Sequence, residues 1–514
     1  MSAPLLAFWS AGTNVAAMRW STLGLAGGFA GWLLACTPDA APVTTNVDFQ
    51  PCLLDGVRRP ASCTQLVVPL DHTAPTDATL TLRVVRLAAR GSHPQADPLF
   101  LLAGGPGQAA SEAFVSMLPA LDGTARDRDL ILVDQRGTGA SAPLDCDIPT
   151  HLRALFREAA LPTDAKACAA QHPHNPAHYS TRQAAADLDA VRRALKYKTI
   201  NLLGVSYGTR LAMAYAAYYP NTTRSLVLDS VAPSELRIPL SFASDAQRAF
   251  DDVRARCEKV PACAAAYPHL ERQLQQLFEA LEMQPAQVVV RDPRTAQLTN
   301  LTITRAIFAQ GMRSILYSSE LVALLPLVIS RAASGDYQPF VAQIAILAQG
   351  ADASSVGLTL SIVCNEDMHD VTQKQLAKAA VGTFLGTATA DEMLAACRLW
   401  PRAHMPLLPA NWHSDAPVLA LSGSADPVTP PRWAQRALSH FSGGKHVKVP
   451  HAGHNVLIRG CVPRLVSDFL ARPQRKLNSN CLQKYVAPAL FVDVAGPSLT
   501  ATGHASAAVP QETP

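Results

Sequence analysis

The chain has 514 residues, of which 48% are apolar and 16% charged, so it exceeds one ordinary domain and can bury a large core. Its formal net charge is only +4, and its Lys and Arg residues form no concentrated run. Both features argue against a nucleic-acid partner. No Cys-x-x-Cys spacing occurs in the sequence, and we expect neither a metal ion nor a redox cofactor. The sequence leaves the oligomeric state open.

The N-terminal residues predict the cellular location of the protein. Arg19 precedes an apolar run from Leu23 to Ala35, which is too short to span a bilayer and is typical of a signal peptide. The run ends in Leu-Leu-Ala-Cys at Cys36, which resembles a bacterial lipobox. We therefore expect residues 1–36 to be a signal peptide with Cys36 as the lipidation site; ordinary signal cleavage near this point is the alternative. The expected location is the cell envelope, either in the periplasm or as an outer-membrane lipoprotein, and secretion is a further alternative. We expect the protein to contact the membrane only through the lipid anchor.

The cysteines agree with export. Without Cys36, the eleven cysteines leave an even set of ten. In an oxidising compartment, disulfides between sequential near-neighbours are the simplest account, although order in the sequence does not by itself fix connectivity. The expected pairs are Cys52/Cys63, Cys146/Cys168, Cys257/Cys263, Cys364/Cys397 and Cys461/Cys481.

The region after the leader alternates predicted strands and helices. Leu80–Leu87 alternates as a half-buried strand does, and the short aliphatic runs that follow are typical of strands buried on both faces of a parallel sheet. Helical patterns such as 182–195 and 209–219 lie between these runs. This order predicts an α/β fold with a mostly parallel central sheet. The buried runs are residues 99–102, 130–133, 200–203, 226–228 and 418–421.

The alternation is interrupted once, by a long stretch with helical periodicity. We interpret this stretch as a helical cap inserted into the sheet domain, and the Ala/Pro/Ser/Thr-rich end of the chain as a disordered tail. The predicted organisation is a linker at 37–50, the first part of the core at 51–234, the cap at 235–400, the second part of the core at 401–485 and the tail at 486–514.

A Gly-x-Ser-x-Gly motif occupies residues 204–208, between a predicted buried strand and a predicted helix. In that context the motif is typical of a nucleophile elbow, a strained turn that exposes the serine hydroxyl above the sheet. We therefore predict Ser206 as a catalytic nucleophile. A purely structural serine is the alternative.

A serine hydroxyl needs a general base that accepts its proton, and the base needs an acid that orients it. Asp426 follows the buried run 418–421, and His454 follows the next predicted strand. We predict Asp426 as the acid and His454 as the base. Asp415, which precedes the strand, and His451, which lies close to the strand end, are the competing candidates.

A transition-state oxyanion needs preorganised backbone donors. The N–H of Tyr207, directly after the serine, is one predicted donor. The second is predicted to be the N–H of Gly105, in the loop Gly104–Gly107 after the run 99–102. A phosphate-binding loop is the competing interpretation, but no Lys-Ser/Thr pair follows the glycines.

These motifs together resemble the proline iminopeptidase and tripeptidyl aminopeptidase group of α/β-hydrolases, over roughly residues 50–485. The resemblance depends on Gly-Gly-Pro-Gly at 104–107, Asp-Gln-Arg-Gly-Thr-Gly-Ala-Ser at 134–141, the elbow, Ser-Gly-Ser-Ala-Asp-Pro-Val-Thr-Pro at 422–430 and Gly-His at 453–454. Ala103 departs from the pattern, because proline iminopeptidases commonly carry histidine there, and this favours the secreted tripeptidyl-aminopeptidase-like branch.

The resemblance implies an α/β-hydrolase fold and a serine exopeptidase that acts on peptides with a free N-terminus. It also implies cap carboxylates that pair with the substrate ammonium, and we expect Glu366, with Asp367 beside it, in that role. A carboxylesterase or lactone hydrolase with the same triad is one alternative. A non-catalytic lipoprotein that uses the fold for surface binding is another.

Overall fold

A computed structural model describes residues 47–74, 78–146, 151–157, 160–172, 174–348, 354–402 and 407–498 of the chain. The predicted signal peptide, the Cys36 lipidation site, the linker up to residue 46 and the tail from residue 499 lie outside these ranges. Within them, no helix combines the length and apolar character needed to cross a membrane.

The strands are short and rich in aliphatic residues, as the sequence predicted. They are β1 (Gln50–Cys52), β2 (Ala61–Pro69), β3 (Thr79–Leu87), β4 (Leu99–Leu102), β5 (Leu130–Val133), β6 (Ile200–Val205), β7 (Thr223–Asp229), β8 (Ala286–Arg291), β9 (Leu298–Ile303), β10 (Val418–Gly423) and β11 (Gly444–Val449).

Helices lie between successive strands from β4 to β7, and most of the helices after β7 belong to the insertion. They are α1 (Ala110–Ala113), α2 (Thr124–Asp127), α3 (Leu152–Leu155), α4 (Leu161–Ala169), α5 (Thr181–Ala194), α6 (Tyr207–Tyr218), α7 (Phe242–Lys259), α8 (Pro261–Ala266), α9 (Leu270–Met283), α10 (Arg305–Ile315), α11 (Leu325–Ala333), α12 (Gln338–Ala348), α13 (Val356–Ile362), α14 (Gln373–Ala380), α15 (Ala388–Leu399), α16 (Pro431–Leu438) and α17 (Val462–Ala471).

In the described part of the chain, nine strands form one sheet in the order β1-β2-β3-β5-β4-β6-β7-β10-β11. The pairs from β1 to β5 are antiparallel, and those from β5 through β4, β6, β7 and β10 to β11 are parallel. The predicted mostly parallel sheet is confirmed. Because parallel strands end at the same edge, the loops after β4, β6, β7, β10 and β11 all open there, where such sheets bind ligands.

Helices cover both faces of the sheet. In β4, Phe100 and Leu102 pack in the core formed with α5, α6 and α16, whereas Leu99 and Leu101 pack in the core formed with α1 and α17. All four side chains are buried, which explains why this strand reads as a continuous apolar run.

The insertion between β7 and β10 is mainly helical and has its own apolar core. Phe308 of α10 and Phe340 of α12 meet there with ring centroids 4.5 Å apart. Two features differ from the sequence analysis. The insertion contains an antiparallel hairpin, β8–β9, and Leu152 and Phe156, from the segment assigned to the first part of the sheet domain, pack in this same core. Tertiary packing decided both features.

The predicted disordered tail needs a correction at its start. Leu490 is buried in the core of the insertion, and the N–H of Phe491 donates to the carbonyl of Ala323 at 2.9 Å. Leu490 and Phe491 therefore pack against the insertion, a contact that composition alone does not reveal.

The described residues contain five disulfides, and all five join the predicted pairs. They are Cys52–Cys63, Cys146–Cys168, Cys257–Cys263, Cys364–Cys397 and Cys461–Cys481.

Candidate active site

The turn after β6 holds Ser206 in a left-handed backbone conformation, with φ 55° and ψ −123°. A Cβ on Gly204 would lie 2.3 Å from the carbonyl oxygen of Gly208, and a Cβ on Gly208 would lie 2.1 Å from that of Leu102. Both glycines of the motif are therefore required by the close approach of β6, α6 and β4. The result is a strained turn that presents Ser206 at the carboxyl edge of the sheet.

Asp426 and His454 meet at the same edge. Nδ1 of His454 lies 2.8 Å from Oδ2 of Asp426. The carboxylate of Asp426 is fully buried and also accepts hydrogen bonds from the N–H of Val428 and from the N–H and hydroxyl of Thr429. Burial alone would raise the pKa of Asp426, but the charge of His454 and these hydrogen bonds outweigh it and lower the pKa to about 2.

The competing candidates lie elsewhere. Asp415 is exposed, and its carboxylate accepts a hydrogen bond from the hydroxyl of Ser442. His451 is exposed too, and its N–H donates to the hydroxyl of Ser424. The acid–base contact is made by Asp426 and His454.

Asp229, at the end of β7, links the serine turn to the histidine loop. Its backbone carbonyl accepts from the N–H of Ser206 at 2.8 Å. Its buried carboxylate accepts from the N–H groups of Val456, at 3.0 Å, and Leu457, at 2.8 Å. Burial raises the pKa of Asp229 to about 6, and the nearby charge of Asp426 adds to the rise. Sequence reasoning missed this residue, although an acid that directly follows a buried strand was a usable signal.

The segment after α10 of the insertion contacts the histidine loop directly. The carbonyl of Tyr317 accepts from the N–H of His454 at 3.0 Å, and the two rings meet edge to face with centroids 5.2 Å apart. The hydroxyl of Ser319 accepts from the N–H of Gly453 at 2.9 Å. The insertion therefore contacts the backbone of the loop that carries His454, the predicted base.

Arg248 of α7 makes the corresponding contact with the acid loop. Its Nη2 donates to the backbone carbonyl of Asp426 at 2.5 Å, and its Nη1 donates to that of Ser424 at 3.3 Å. Neither Arg248 nor Tyr317 carries a sequence signal of this role, because the contacts join residues far apart in the chain.

The glycine loop after β4 lies against the serine turn. A Cβ on Gly104 would lie 3.1 Å from Cβ of Ser206, so a side chain there would crowd the serine turn. Gly105 follows with φ 105°. The carbonyl of Gly107 accepts from the N–H of Ser355, just before α13. The glycine loop therefore lies between Ser206 and the insertion.

Glu366 and Asp367 lie in a π-turn, Val363–Asp367, that continues α13. Oε1 of Glu366 accepts from the N–H of Thr181 at 2.7 Å, and Oε2 accepts from its hydroxyl at 2.8 Å. The Thr181 hydroxyl also lies 2.7 Å from the hydroxyl of Tyr207, whose backbone N–H is a predicted oxyanion donor. The carboxylate of Glu366 is therefore two hydrogen bonds away from the residue that follows Ser206.

Arg210 of α6 pairs with both carboxylates, but unequally. Its Nη1 lies 3.0 Å from Oδ1 of Asp367 and 3.7 Å from Oε2 of Glu366. All three side chains are almost completely buried, with 1% exposure for Arg210 and Asp367 and 3% for Glu366. Burial raises the pKa of Glu366 to about 7, and the charge of Asp367 adds to the rise. With both acids ionised, the cluster carries one net negative charge.

Among the described residues, no group of three or more His, Cys, Asp and Glu side chains could hold a metal ion. A strained serine turn, a glycine loop and a carboxylate-bound imidazole thus lie at the carboxyl edge of the sheet. These are the kinds of groups that acyl transfer through a serine requires.

Residues 97–460 match the family described as the alpha/beta hydrolase fold. The chain belongs to this family and is a hydrolytic enzyme. The serine protease Hip1 of Mycobacterium tuberculosis is 27% identical over 455 residues, which cover 80% of this chain and 85% of Hip1. The tripeptidyl aminopeptidase of Streptomyces coelicolor is 30% identical over 237 residues, which cover 41% of this chain and 43% of that enzyme.

A solved structure, the proline iminopeptidase of Mycobacterium smegmatis, aligns with 80% of this chain and 98% of its own, at 16% identity and a TM-score of 0.35. The family match over residues 97–460 and the two sequence relatives confirm the resemblance noted in the sequence at the level of the family.

Proposed function

We propose that this protein is an exported serine exopeptidase that removes residues or short peptides from the free N-terminus of its substrates. The observation that carries the proposal is the buried, negatively charged Glu366–Asp367–Arg210 cluster, joined through Thr181 to Tyr207 beside the nucleophile. A buried carboxylate with uncompensated charge either takes up a proton or is stabilised by a ligand that brings the opposite charge. A substrate ammonium does so, and an ester substrate without an amine does not. The printed names of two relatives, a serine protease and a tripeptidyl aminopeptidase, support the same class.

In the first chemical step, Oγ of Ser206 attacks the scissile carbonyl carbon while Nε2 of His454 accepts the hydroxyl proton. Asp426 accepts the Nδ1 hydrogen bond, fixes the tautomer and stabilises the imidazolium. The backbone N–H groups of Gly105 and Tyr207 donate to the oxyanion. When the carbon–nitrogen bond breaks, the imidazolium gives its proton to the leaving amine, and an acyl-enzyme remains on Ser206. Water then attacks that ester by the same acid–base steps and releases the new carboxylate.

Glu366 binds the substrate ammonium in this proposal. Both carboxylate oxygens contact Thr181, and the guanidinium of Arg210 is 3.7 Å away, nearer to Asp367. Asp367 holds Arg210 in place, so Glu366 has the less compensated charge of the two. Because an ammonium favours the ionised carboxylate, substrate binding lowers the pKa of Glu366 from its raised value.

Export is supported by the five disulfides, since bonds of this kind persist in oxidising compartments. Lipidation at Cys36 remains part of the proposal. Palmitate labelling in the bacterial host tests it, because a lipidated chain should carry the label and a signal peptidase II inhibitor should make the labelled, uncleaved precursor accumulate. An unlabelled periplasmic product contradicts it.

The catalytic part is tested by labelling the full chain with a fluorophosphonate. We expect one label per chain, no label on the Ser206→Ala variant, and normal labelling of the matched control Ser439→Ala, whose hydroxyl is exposed at the end of α16. Labelling that survives Ser206→Ala would contradict the assignment of the nucleophile.

Substrate class is tested with trialanine p-nitroanilide, its N-acetylated form and p-nitrophenyl butyrate. We expect the free-amine anilide to have the highest kcat/KM. Glu366→Gln should raise KM for that substrate by about 10- to 100-fold, the range for an ion pair that loses one partner, with little effect on the acetylated one. Glu279→Gln, on the exposed side of α9, is the matched control. An enzyme that cleaves the butyrate ester but neither anilide would be a carboxylesterase, and the proposal would be wrong.

A further inference from the structure

A cavity of about 430 Å³ lies between α7 of the insertion and the loops that carry Asp426 and His454. Its lining shares no residue with the Glu366 cluster. Arg256 and Lys259 of α7 line one side, and Ser424 and Gly453 of the two loops line the other.

Arg256 is the unusual residue of this cavity. Its Nε and Nη2 atoms are buried, and neither has a hydrogen-bond acceptor within the described ranges. Burial lowers the pKa of its guanidinium, and no carboxylate offsets that effect. Buried charged donors without acceptors are among the more costly arrangements in a protein, and a bound anion removes that cost.

The other charged groups leave the cavity positive. Asp252 also lines it, but its Oδ2 accepts from Nη1 of Arg248 at 3.0 Å and is thereby neutralised. Lys259 adds a second cation on the side of Arg256, and His451 lines the opposite loop.

We propose that this cavity binds a small oxyanion, a carboxylate or a phosphate, through Arg256 and Lys259. The planar fork of a guanidinium matches two oxygens of either group. Val253, Leu316 and Val322 provide apolar walls, so the volume suits a carboxylate on a short apolar chain, such as the C-terminus of a small peptide. Inorganic phosphate shares the chemistry, and the experiment distinguishes the two sources.

The site would couple to the catalytic loops. Ser424 belongs to the loop of Asp426, Gly453 precedes His454, and both line the cavity opposite α7. An anion there bridges the insertion to the two loops and stabilises the folded protein by an amount that grows with the logarithm of 1 + L/Kd, where L is the free anion concentration. This binding does not depend on the proposed peptidase activity.

The test uses the full chain with Ser206→Ala, so that no turnover occurs. Calorimetry and thermal unfolding are measured with N-acetyl-trialanine, with its C-terminal amide, and with potassium phosphate against potassium chloride at equal ionic strength. We expect the acid or phosphate to bind and raise Tm, the amide not to bind, and Arg256→Gln to weaken binding at least about tenfold. If phosphate alone binds through Arg256, the site is an oxyanion site whose ligand is phosphate.

Arg254→Gln is the matched control, because Arg254 lies on the same helix but pairs with Glu258 at 2.8 Å. Lys259→Gln, at the exposed end of α7, provides a second reduction in charge if Arg256→Gln does not fold. The proposal is overturned if the acid and the amide bind alike and phosphate does not bind. Equal affinity of the Arg256→Gln and parent proteins also overturns it.

Discussion

The hydroxyl of Thr359 donates a hydrogen bond of 2.5 Å to the backbone carbonyl of Pro106. Thr359 lies on α13, whose continuation carries Glu366, and Pro106 follows Gly105 in the glycine loop. One contact therefore connects the proposed ammonium site to the proposed oxyanion donor. An enzyme that measures its cleavage point from the substrate N-terminus needs these two sites at a fixed separation.

Thr359→Val should disturb that separation. The variant keeps the shape of the side chain but loses the hydrogen bond, and we expect kcat/KM for trialanine p-nitroanilide to fall about 5- to 10-fold, the equivalent of roughly 1 kcal/mol. Thr383→Val, in the loop after α14 at a threonine whose hydroxyl donates to the carbonyl of Ala380, is the control. An unchanged kcat/KM in Thr359→Val, with the stability of the parent protein, would contradict the coupling.

Asp229→Asn should lower kcat while leaving KM nearly unchanged. Asparagine has the shape of aspartate, but its amide can offer only one oxygen to the N–H groups of Val456 and Leu457, so the histidine loop loses its fixed distance from Ser206. We expect kcat to fall about 10- to 100-fold, the range that follows from a lost buried charge-assisted hydrogen bond. Steady-state kinetics measures both parameters. A change confined to KM would assign Asp229 to substrate binding instead.

The preference for a free N-terminus should depend on pH. Below the pKa of about 7, Glu366 is protonated and cannot hold an ammonium; above it, the carboxylate is ionised and binds one. The ratio of kcat/KM for the free-amine anilide to that for its acetylated form should therefore rise as pH increases through about 7. It should fall again as the substrate α-amino group loses its proton, near about pH 8.

Taking the ratio of two substrates cancels any pH dependence of the chemical steps that both substrates share. Glu366→Gln should give a low ratio without the rise through about pH 7. A ratio that is flat in the parent enzyme across pH 5 to 9, at roughly half-unit intervals, would show that Glu366 does not sense the substrate amine.

Arg248→Gln should weaken the contact between the insertion and the loop that carries Asp426. The variant loses the paired donors to the carbonyls of Asp426 and Ser424, and we expect kcat to drop about 5- to 30-fold, which corresponds to roughly 1–2 kcal/mol. Arg254→Gln again serves as control. Recovery of activity by Arg248→Lys, which restores one donor, would support positioning, whereas equal loss in both variants would favour a purely structural role.

Local motifs in the sequence predicted much of the fold and of the candidate site. The elbow at 204–208 could be located because the turn needs glycine on both sides of the serine for steric reasons, and such reasons act within a few residues. Asp426 and His454 could be named because each follows a buried strand of a parallel sheet. The order of the cysteines predicted all five disulfides because each partner is a near neighbour along the chain.

Contacts between distant parts of the chain were decided by the tertiary structure. The role of Asp229 requires knowing that β7 ends between the serine turn and the histidine loop, and the roles of Arg248 and Tyr317 require the insertion to lie against both loops. The burial of Leu490 likewise depends on apolar partners more than a hundred residues away in the chain. The local sequence pattern indicates which backbone conformation a segment favours. The burial of its side chains and the compensation of its charges depend on which other segments fold beside it.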